Sequence, residues 1–357
     1  MGLKKVWFDI LTPKQFWFFT AIGDTLMENG YEVMYTGRRY EQLTPLLELS
    51  GRDGFYVLGE YGGGDLSGKL MASLRRAVEL AELVSYEKPD CSVSSGSPEA
   101  SRIAYGLDIP HVLVSDTPYS PVNPLSAPLS KLVMSPWVVG KRKWRRYGVS
   151  SKTIKLYRGL DPVAWLRNFK PDRSILERYS LVERGYILLR TPEYKASYLS
   201  SLDGLGKFMD LCRGLIEVAK GYDLVVLPRY GDELESVKKA LGEKVKIIPS
   251  PVYGPSIIYY SAILVGGGGT MNQEAALLGV PCISAYPSRL PEVIQYLARQ
   301  KMISIARSPG DLIRLIRRMI NEIEDVRALL ERRARRLMSR LEDPSEKVSD
   351  EIRHLLT

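Results

Sequence analysis

Two hydrophobic patterns alternate along the first half of the chain. Short apolar runs such as KVWFDI, EVMYT and HVLV are typical of buried β-strands, whereas SGKLMASLRRAVELAELVSYEK has the spacing of an amphipathic helix. Strands that alternate with helices predict a parallel sheet with helices on both faces. We therefore expect a Rossmann-like α/β domain over residues 1–165.

A less regular stretch, residues 152–174, contains two prolines and is interpreted as the region of a linker. A second alternation follows, from YILLR through YDLVVLPR to KMISIA, and predicts another Rossmann-like domain over residues 166–340. The chain has 357 residues, which suits roughly two domains. Beyond PGDLIRLIRRMI the sequence is helical and heavily charged, and we expect residues 341–357 to form a helix that crosses back to the first domain.

The amino-acid composition limits the classes of ligand and partner that the chain is expected to bind. The 50 Lys and Arg residues exceed the 41 Asp and Glu residues, and a net charge of +9 suits anionic partners such as nucleotides. No RNA-binding aromatic motif, zinc finger or basic zipper is present, so no nucleic acid is expected. The two histidines and three separated cysteines have no metal-ligand spacing, so no metal site is predicted and a reducing cytoplasm fits. His111, next to the strand-like VLV, is interpreted as structural.

The segment LVGGGGTMNQEAALLGVP, residues 264–281, carries the most distinctive local pattern. A glycine run leaves an apolar strand, and Thr270 with Gln273 matches the T-x-x-Q capping box of a following helix. Helix N–H groups favour an anion, and glycines let a phosphate or base approach closely. Glu274, one turn further, is placed to accept hydrogen bonds from two ribose hydroxyls. The alternative is a tight turn with no ligand. The candidate binding residues here are Gly266, Gly267, Gly268, Gly269, Thr270 and Glu274.

The same motif resembles the C-terminal domain of GT-B sugar-nucleotide enzymes, in which a small-residue loop precedes a glutamate and Gly-x-Pro. The resemblance implies that Glu274 holds the nucleotide ribose. The chain is also similar to a prokaryotic family named domain of unknown function number 354. That similarity is carried by KVWFDILTP, DTPYSPVNPLSAPL, KASY, VVLPRY, GPSIIYY and the glycine motif, in order along the chain. A GT-B-like fold, with two Rossmann-like domains facing a cleft, is implied.

The resemblance extends the donor site to other loops of the second domain. The related epimerases use basic residues after the first strand for the diphosphate, and arginine suits bidentate phosphate binding. The turn VYGPS lies where related enzymes hold the base, and SRLPE lies near the donor sugar. The further candidates are Arg190, Lys195, Ser197, Arg229, Tyr253 and Glu292.

On the acceptor side, Asp116 sits where these epimerases and the lipid N-acetylglucosaminyltransferase carry a glutamate. A carboxylate at a strand end can serve as a general base, although Asp-x-Pro is also ordinary turn chemistry. Gln15 and Trp17 stand where the family carries a histidine, and the epimerases' aspartate near Ser97 is absent, which argues against 2-epimerisation. The other acceptor-side candidates are Asp9, Thr12, Lys14, Gln15, Glu99 and Asn123.

Two further motifs receive different interpretations. GGDLSGKL lacks the final Ser or Thr of a P-loop and is rejected as one. KRKWRRYG is dense in positive charge. It is interpreted either as a solvated helix face or as a contact with an anionic membrane that carries a lipid acceptor. Its members are Lys141, Arg142, Lys143, Trp144, Arg145 and Arg146.

Together these features favour a glycosyltransferase-like enzyme of the cytoplasm, peripheral at the membrane if the basic segment binds lipid. It would bind a nucleoside diphosphate sugar, with UDP as the favoured nucleotide, and transfer the sugar to an acceptor without a metal or cofactor. Two alternatives stay open: a sugar-nucleotide epimerase or hydrolase of the same fold, and a non-catalytic binding or scaffold protein.

Overall fold

The computed structural model describes residues 2–40, 43–50, 52, 54–191, 203–228, 231–249, 254–285 and 290–357. It divides into two compact units. The N-terminal unit comprises Met1–Trp165 with Leu341–Thr357, and the C-terminal unit comprises Leu166–Arg340.

The N-terminal unit alternates strands and helices, as its hydrophobic pattern predicts. In chain order they are β1 (Lys5–Ile10), α1 (Pro13–Glu28), β2 (Glu32–Arg39), α2 (Thr44–Ser50), β3 (Phe55–Glu60), α3 (Leu66–Glu87), β4 (Cys91–Ser94), α4 (Pro98–Gly106), β5 (His111–Val114), α5 (Asn123–Ser126), β6 (Leu132–Pro136), α6 (Lys141–Arg145), β7 (Ile154–Tyr157) and α7 (Val163–Leu166).

Within the described residues the strands of this unit form a seven-stranded sheet in the order β3-β2-β1-β4-β5-β6-β7, and every pair is parallel. The first six positions follow the order of a doubly wound dinucleotide-binding sheet, whose ligands lie at the carboxyl ends of the strands. The interpretation of residues 152–174 as a linker is wrong in part, because β7 falls within it and completes the sheet.

The C-terminal unit repeats this plan. Its elements are α8 (Ser174–Arg178), β8 (Tyr186–Arg190), α9 (Asp203–Val218), β9 (Asp223–Leu227), α10 (Gly231–Leu241), a 3-10 turn (Gly242–Lys244), β10 (Lys246–Ile247), α11 (Gly254–Tyr259), β11 (Ile263–Gly266), α12 (Thr270–Leu278), β12 (Cys282–Ser284), α13 (Glu292–Arg299), β13 (Ser304–Ile305), α14 (Pro309–Asn321) and α15 (Ile323–Met338). The described strands form a parallel sheet in the order β10-β9-β8-β11-β12-β13. Its central strands are apolar apart from Arg190, Asp223 and Ser284 at strand ends, because helices cover both faces.

A final helix, α16 (Pro344–Leu356), belongs to the N-terminal unit. Its residues Val348 and Ile352 are fully buried in the same apolar cluster as Phe8 and Phe19. The Ser349 hydroxyl donates a hydrogen bond to the Ile22 carbonyl of α1, at 3.2 Å. Residues from both ends of the sequence therefore build one core.

Among the helices described, none is both long enough and apolar enough to cross a membrane.

Candidate functional site

The glycine run connects β11 to α12, and two of its glycines are required by the local packing. A Cβ at Gly266 would lie 2.5 Å from the Oδ1 atom of Asn272, closer than real contacts allow. Gly268 has a φ of +82°, in the left-handed region that favours glycine. Its N–H donates to the same Asn272 oxygen at 3.0 Å, and the Asn272 amide donates to the Ile283 carbonyl at 3.1 Å. Asn272, which the sequence analysis missed, thus fastens the loop to β12.

Gly269 is different, because neither packing nor conformation requires a glycine there. Its φ of −91° and ψ of −155° are extended. Apart from its own chain neighbours and helix, no atom of the described residues lies within 4 Å of a Cβ built there. Gly269 is the N-cap of α12, without a side-chain cap bond. The predicted capping box of Thr270 and Gln273 is therefore wrong, because Thr270 is already the first helical residue.

The predicted ribose ligand, Glu274, lies one turn into α12 and is 4% exposed. Its Oε2 atom is 3.7 Å from where a Cβ of Gly254, the first residue of α11, would be. The carboxylate therefore faces the start of a neighbouring helix, close to the predicted base-binding turn. Glu292 is also buried, in the first turn of α13.

Arg190, the predicted diphosphate ligand, ends β8. Its Nη1 atom donates to the carbonyl oxygens of Leu227 at 3.3 Å and Pro228 at 2.9 Å, so part of the guanidinium braces the end of β9. Beside it the Thr191 hydroxyl donates to the buried Glu233 carboxylate at 2.6 Å, a pair the sequence analysis missed. The candidates Lys195, Ser197, Arg229 and Tyr253 lie outside the described residues.

In the N-terminal unit, three strand ends contribute to a lysine–carboxylate cluster of Lys14, Asp116, Tyr157 and Asp161. The Lys14 ammonium lies 2.6 Å from Asp116 Oδ1 and 2.8 Å from Asp161 Oδ2. The Tyr157 hydroxyl donates to Asp161 Oδ1 at 2.6 Å. Lys14 and Asp116 are predicted site residues that the structure brings together. Asp161 and Tyr157 were missed, because their segment had been interpreted as a linker.

Burial and charge act in opposite directions in this cluster. Burial works to lower the pKa of Lys14, but the charges of Asp116 and Asp161 outweigh it and raise that pKa above its usual value. For Asp161, burial together with the nearby Asp116 charge raises the pKa, against the lowering effects of Lys14 and of the Tyr157 hydrogen bond. Burial, with the nearby Asp161 charge, also raises the pKa of Tyr157. The lysine therefore stays charged between the two carboxylates.

Asp9, predicted to face an acceptor, lies instead in a buried ion pair with Arg76. It is fully buried, and both of its carboxylate oxygens accept hydrogen bonds from Arg76 of α3, at 2.5 and 3.1 Å. Thr36 donates to it at 2.7 Å. Burial alone would raise the pKa of Asp9, but the Arg76 charge and these hydrogen bonds lower it. This closed pair joins β1, β2 and α3, and leaves the Asp9 carboxylate no exposed surface for an acceptor.

Thr12 and Gln15 both contribute to the cap of α1. Thr12 is the N-cap and accepts the Gln15 N–H at 3.4 Å, while Gln15 Oε1 accepts the Leu11 N–H, one residue before the N-cap, at 2.6 Å. This T-x-x-Q segment therefore resembles a capping box, whereas the one at Thr270 does not.

The remaining acceptor-side candidates also have structural contacts. Glu99 is half-buried in the first turn of α4, where it accepts the Ser97 hydroxyl at 3.2 Å. Asn123 is buried, and its amide donates to the Thr117 carbonyl at 3.0 Å, which fixes the loop that carries Asp116.

The basic segment is only partly as predicted. Trp144 is fully buried with Leu113, Val133 and Ile154, so its assignment to a membrane-contacting surface is wrong. The apolar ring anchors α6 while basic neighbours point to solvent, and a membrane contact through those cations stays a prediction. The exposed basic side chains are Lys141, Arg142, Arg145 and Arg146.

His111 is confirmed as structural. Its two ring nitrogens lie 3.0 Å from the Ser92 hydroxyl and 3.1 Å from that of Ser94, and burial lowers its pKa to about 4. Among the described ranges, no group of three His, Cys, Asp or Glu side chains is placed to hold a metal ion.

Comparisons with known proteins show the family and the fold of the chain. Residues 4–356 match the family described as protein of unknown function DUF354, and the chain belongs to that family. An uncharacterised protein of Methanocaldococcus jannaschii is 29% identical over 329 residues, 90% of this chain and 91% of the relative.

Two solved structures share the fold at low sequence identity. The UDP-GlcNAc 2-epimerase of M. jannaschii, in complex with UDP-GlcNAc and UDP, has a TM-score of 0.70 and 17% identity, covering 89% of this chain and 93% of that one. HepE of Anabaena, in complex with UDP and glucose, has a TM-score of 0.68 and 12% identity, covering 99% of each chain. The predicted GT-B-like fold, with two parallel-sheet α/β domains, is confirmed.

Proposed function

We propose that this protein is a glycosyltransferase-like enzyme whose C-terminal unit binds a nucleoside diphosphate sugar, with UDP as the favoured nucleotide. The observation that carries the proposal is the glycine run. Packing and backbone conformation account for Gly266 and Gly268, but the space beside Gly269 has no such explanation. That space adjoins the N-terminus of α12, whose N–H groups favour a phosphate. Structures of similar fold that are complexes with UDP support this choice of nucleotide.

Glu274 would accept the ribose hydroxyls one turn away from the diphosphate. It is a buried carboxylate beside the start of α11, and a nucleoside that reached it would exchange water for charged hydrogen bonds. The helix N-terminus would stabilise the diphosphate as it leaves with the electron pair of the broken sugar C1–O bond.

Asp116 would act as the general base for the acceptor. It would take the proton of an acceptor hydroxyl while that oxygen forms the new bond to sugar C1. Protonation of Asp116 would remove one of the two negative charges beside Lys14. Because Asp161 still lies 2.8 Å from Lys14, the ammonium would keep a counter-ion. The second carboxylate therefore lets Asp116 change its charge without leaving a partly buried lysine unpaired.

A ligand screen tests the donor site. The melting temperature of the wild type, Glu274→Gln and Gly269→Leu would be measured with UDP, GDP, CDP, ADP and their common sugar conjugates. A ligand at 100 times its Kd adds about 2.7 kcal/mol, a shift of several degrees. We expect one nucleotide to stabilise the wild type and neither variant. Gly206→Leu is the matched control, since a Cβ there also meets open space in the described structure. No shift of the wild type would overturn the proposal.

Turnover then separates catalysis from binding. Release of the nucleoside diphosphate would be followed with a panel of sugar and lipid hydroxyl acceptors. Loss of a general base reduces turnover by roughly 10²–10⁴-fold, so Asp116→Asn should keep the nucleotide-induced shift and lose turnover. A wild type that binds the nucleotide but never turns over would be a binding protein.

A 2-epimerase is the second candidate, because one structure of similar fold is a UDP-GlcNAc 2-epimerase in complex with UDP-GlcNAc and UDP. Ser97, near the place of the epimerases' aspartate, is the N-cap of α4 and has no carboxylate. Incubation with the sugar nucleotide alone decides between the two activities. An epimerised sugar still attached to the nucleotide would support the epimerase, and an unchanged donor the transferase.

A further inference from the structure

Helix α3 has an unusually apolar outer surface. Its inner side packs on the sheet through Arg76, Leu80 and Val84. On the outer side, five large apolar side chains are between 46% and 78% exposed. Their spacing of mostly four residues places them in one row along the helix. Such single exposed residues are ordinary, but a contiguous row marks an interaction surface. The row, here called the α3 stripe, consists of Leu66, Leu70, Met71, Leu74 and Val78.

We propose that the α3 stripe is the interface through which two copies of this chain pair, with their α3 helices antiparallel about a two-fold axis near Val78. An isologous contact of this kind pairs α3 with its own copy, and with the axis at Val78 the stripe of each copy lies along the part of α3 that follows Val78 in the other. The proposal is independent of the chemistry proposed above.

The charges beside the stripe select this arrangement. Arg75, Glu79 and Glu82 are exposed along one side of it. In a two-fold antiparallel pair, equivalent sides of the two helices meet. An axis at Val78 sets Arg75 level with position 81 of the second copy, between the second copy's Glu79 and Glu82. Two equivalent sets of opposite charges result. An axis at Leu74 would instead set Arg75 beside the second copy's own Arg75.

Side-chain size agrees with the same axis. The first half of the stripe is leucine-rich, whereas the helix further along carries the half-buried Ala81 and the exposed Ser85. Antiparallel pairing about Val78 places Leu74 of one copy beside Ala81 of the other, and Leu70 beside Ser85 and the exposed Tyr86.

The surface is also long enough for a stable pair. A helix of 22 residues is about 33 Å long. The edge strand β3, against which α3 packs, adds the exposed Tyr56 and Val57. Together they can approach the roughly 800 Å² per partner of a standard interface. An anionic lipid surface fits less well, because it requires a polar face rich in Lys and Arg, and here Glu79 and Glu82 interrupt it.

Sedimentation velocity on the full chain tests the pairing. We expect a mass of twice 40.2 kDa at micromolar concentration. Leu74→Glu should weaken dimerisation at least tenfold, whereas Val182→Glu, an equally exposed apolar site on the other unit, should not. Arg75→Glu and Glu82→Arg should each weaken the dimer, and the double charge reversal should restore it.

Cysteine cross-linking tests the position of the axis. The native cysteines are all buried, so an introduced thiol reports on its own site. Val78→Cys should form a disulfide-linked dimer on mild oxidation. Leu66→Cys lies in the same stripe but is about 36 Å from its counterpart along the paired helices, too far for a disulfide. Equal cross-linking at both positions would overturn the axis.

A wild type that stays monomeric at all these concentrations would overturn the dimer. If that monomer bound phosphatidylcholine vesicles and Leu74→Glu abolished the binding, the stripe would be assigned to a lipid surface. A dimer that Leu74→Glu left intact would place the interface elsewhere, and would also contradict the proposal.

Discussion

The Lys14 ammonium lies 2.6 Å from the Oδ1 atom of Asp116, so the candidate general base is held in an ion pair with a residue from another strand end. The same ammonium contacts Asp161, and two carboxylates share one positive charge. The geometry of Asp116 therefore depends on a lysine and an aspartate that do not neighbour it in sequence.

Replacing Lys14 with Met would leave two carboxylates together without their cation. A buried ion pair that loses one partner costs about 3–5 kcal/mol, and Asp161 is 1% exposed. We expect a loss of this order, discounted because the Lys14 side chain is 21% exposed. Urea unfolding, read as the change in midpoint at constant slope, measures it.

The Asp161→Asn substitution in the Lys14→Met background provides the control. It removes one of the two repelling charges, so it should recover part of the lost free energy of unfolding. If the double variant were no more stable than Lys14→Met, repulsion between the carboxylates would not be the cause of the loss.

The glycine run should show a graded response to alanine. Gly266→Ala forces a Cβ to 2.5 Å from Asn272, and Gly268→Ala puts a side chain at a φ of +82°, so both should lower the melting temperature. Gly269→Ala should change the free energy of unfolding by no more than about 0.5 kcal/mol, as for an ordinary surface substitution. Thermal unfolding without ligand measures all three, and a severe loss at Gly269 would mean that its surroundings are closed.

His111 should make stability depend on pH. Its pKa falls from 6.5 to about 4 on burial, so between these values the unfolded chain binds a proton that the folded chain does not. The free energy of unfolding should therefore decrease as the pH falls through this window. The shift corresponds to roughly 3 kcal/mol at full extent. The difference between wild type and His111→Gln, measured from pH 7 to pH 4, isolates this residue, and parallel curves would contradict it.

The Asp9–Arg76 pair should matter for folding rather than for turnover. Asp9→Asn leaves the buried Arg76 guanidinium without its counter-ion, and we expect a loss of about 3–5 kcal/mol in unfolding free energy. Arg76→Met with Asp9→Asn together should be less damaging than Asp9→Asn alone. A variant that folds normally but loses turnover would contradict this and restore Asp9 as an acceptor-side residue.

Local patterns predicted the alternation of strands and helices because period and apolarity are properties of short segments. They failed where the outcome depends on the exact first residue of a helix or on distant packing. The two T-x-x-Q segments look equivalent, yet Thr12 is the N-cap of α1, whereas α12 begins at Thr270 and has Gly269 as its N-cap. Trp144 lies within a basic run, but its ring packs among residues of three strands.

Only the part of the candidate site that local sequence patterns mark was predicted. Asp116 and Lys14 stand at strand ends, which the sequence marks. Asp161 follows β7, whose four residues are too short and mixed to be distinguished from a linker. Asn272 lies within the glycine motif, but the sequence does not predict its hydrogen bond to the Ile283 carbonyl, because that bond depends on the position of β12.

The placement of α16 determines the order in which the molecule can be completed. Val348 and Ile352 fill the core of the N-terminal unit, yet they follow the whole C-terminal unit in the chain. During translation, the last residues of the N-terminal unit are therefore synthesised only after the whole C-terminal unit. Until α16 is synthesised, the apolar surface around Phe19 that Val348 and Ile352 cover stays exposed in the N-terminal unit. A nascent chain arrested before α16 should therefore expose this surface to chaperones.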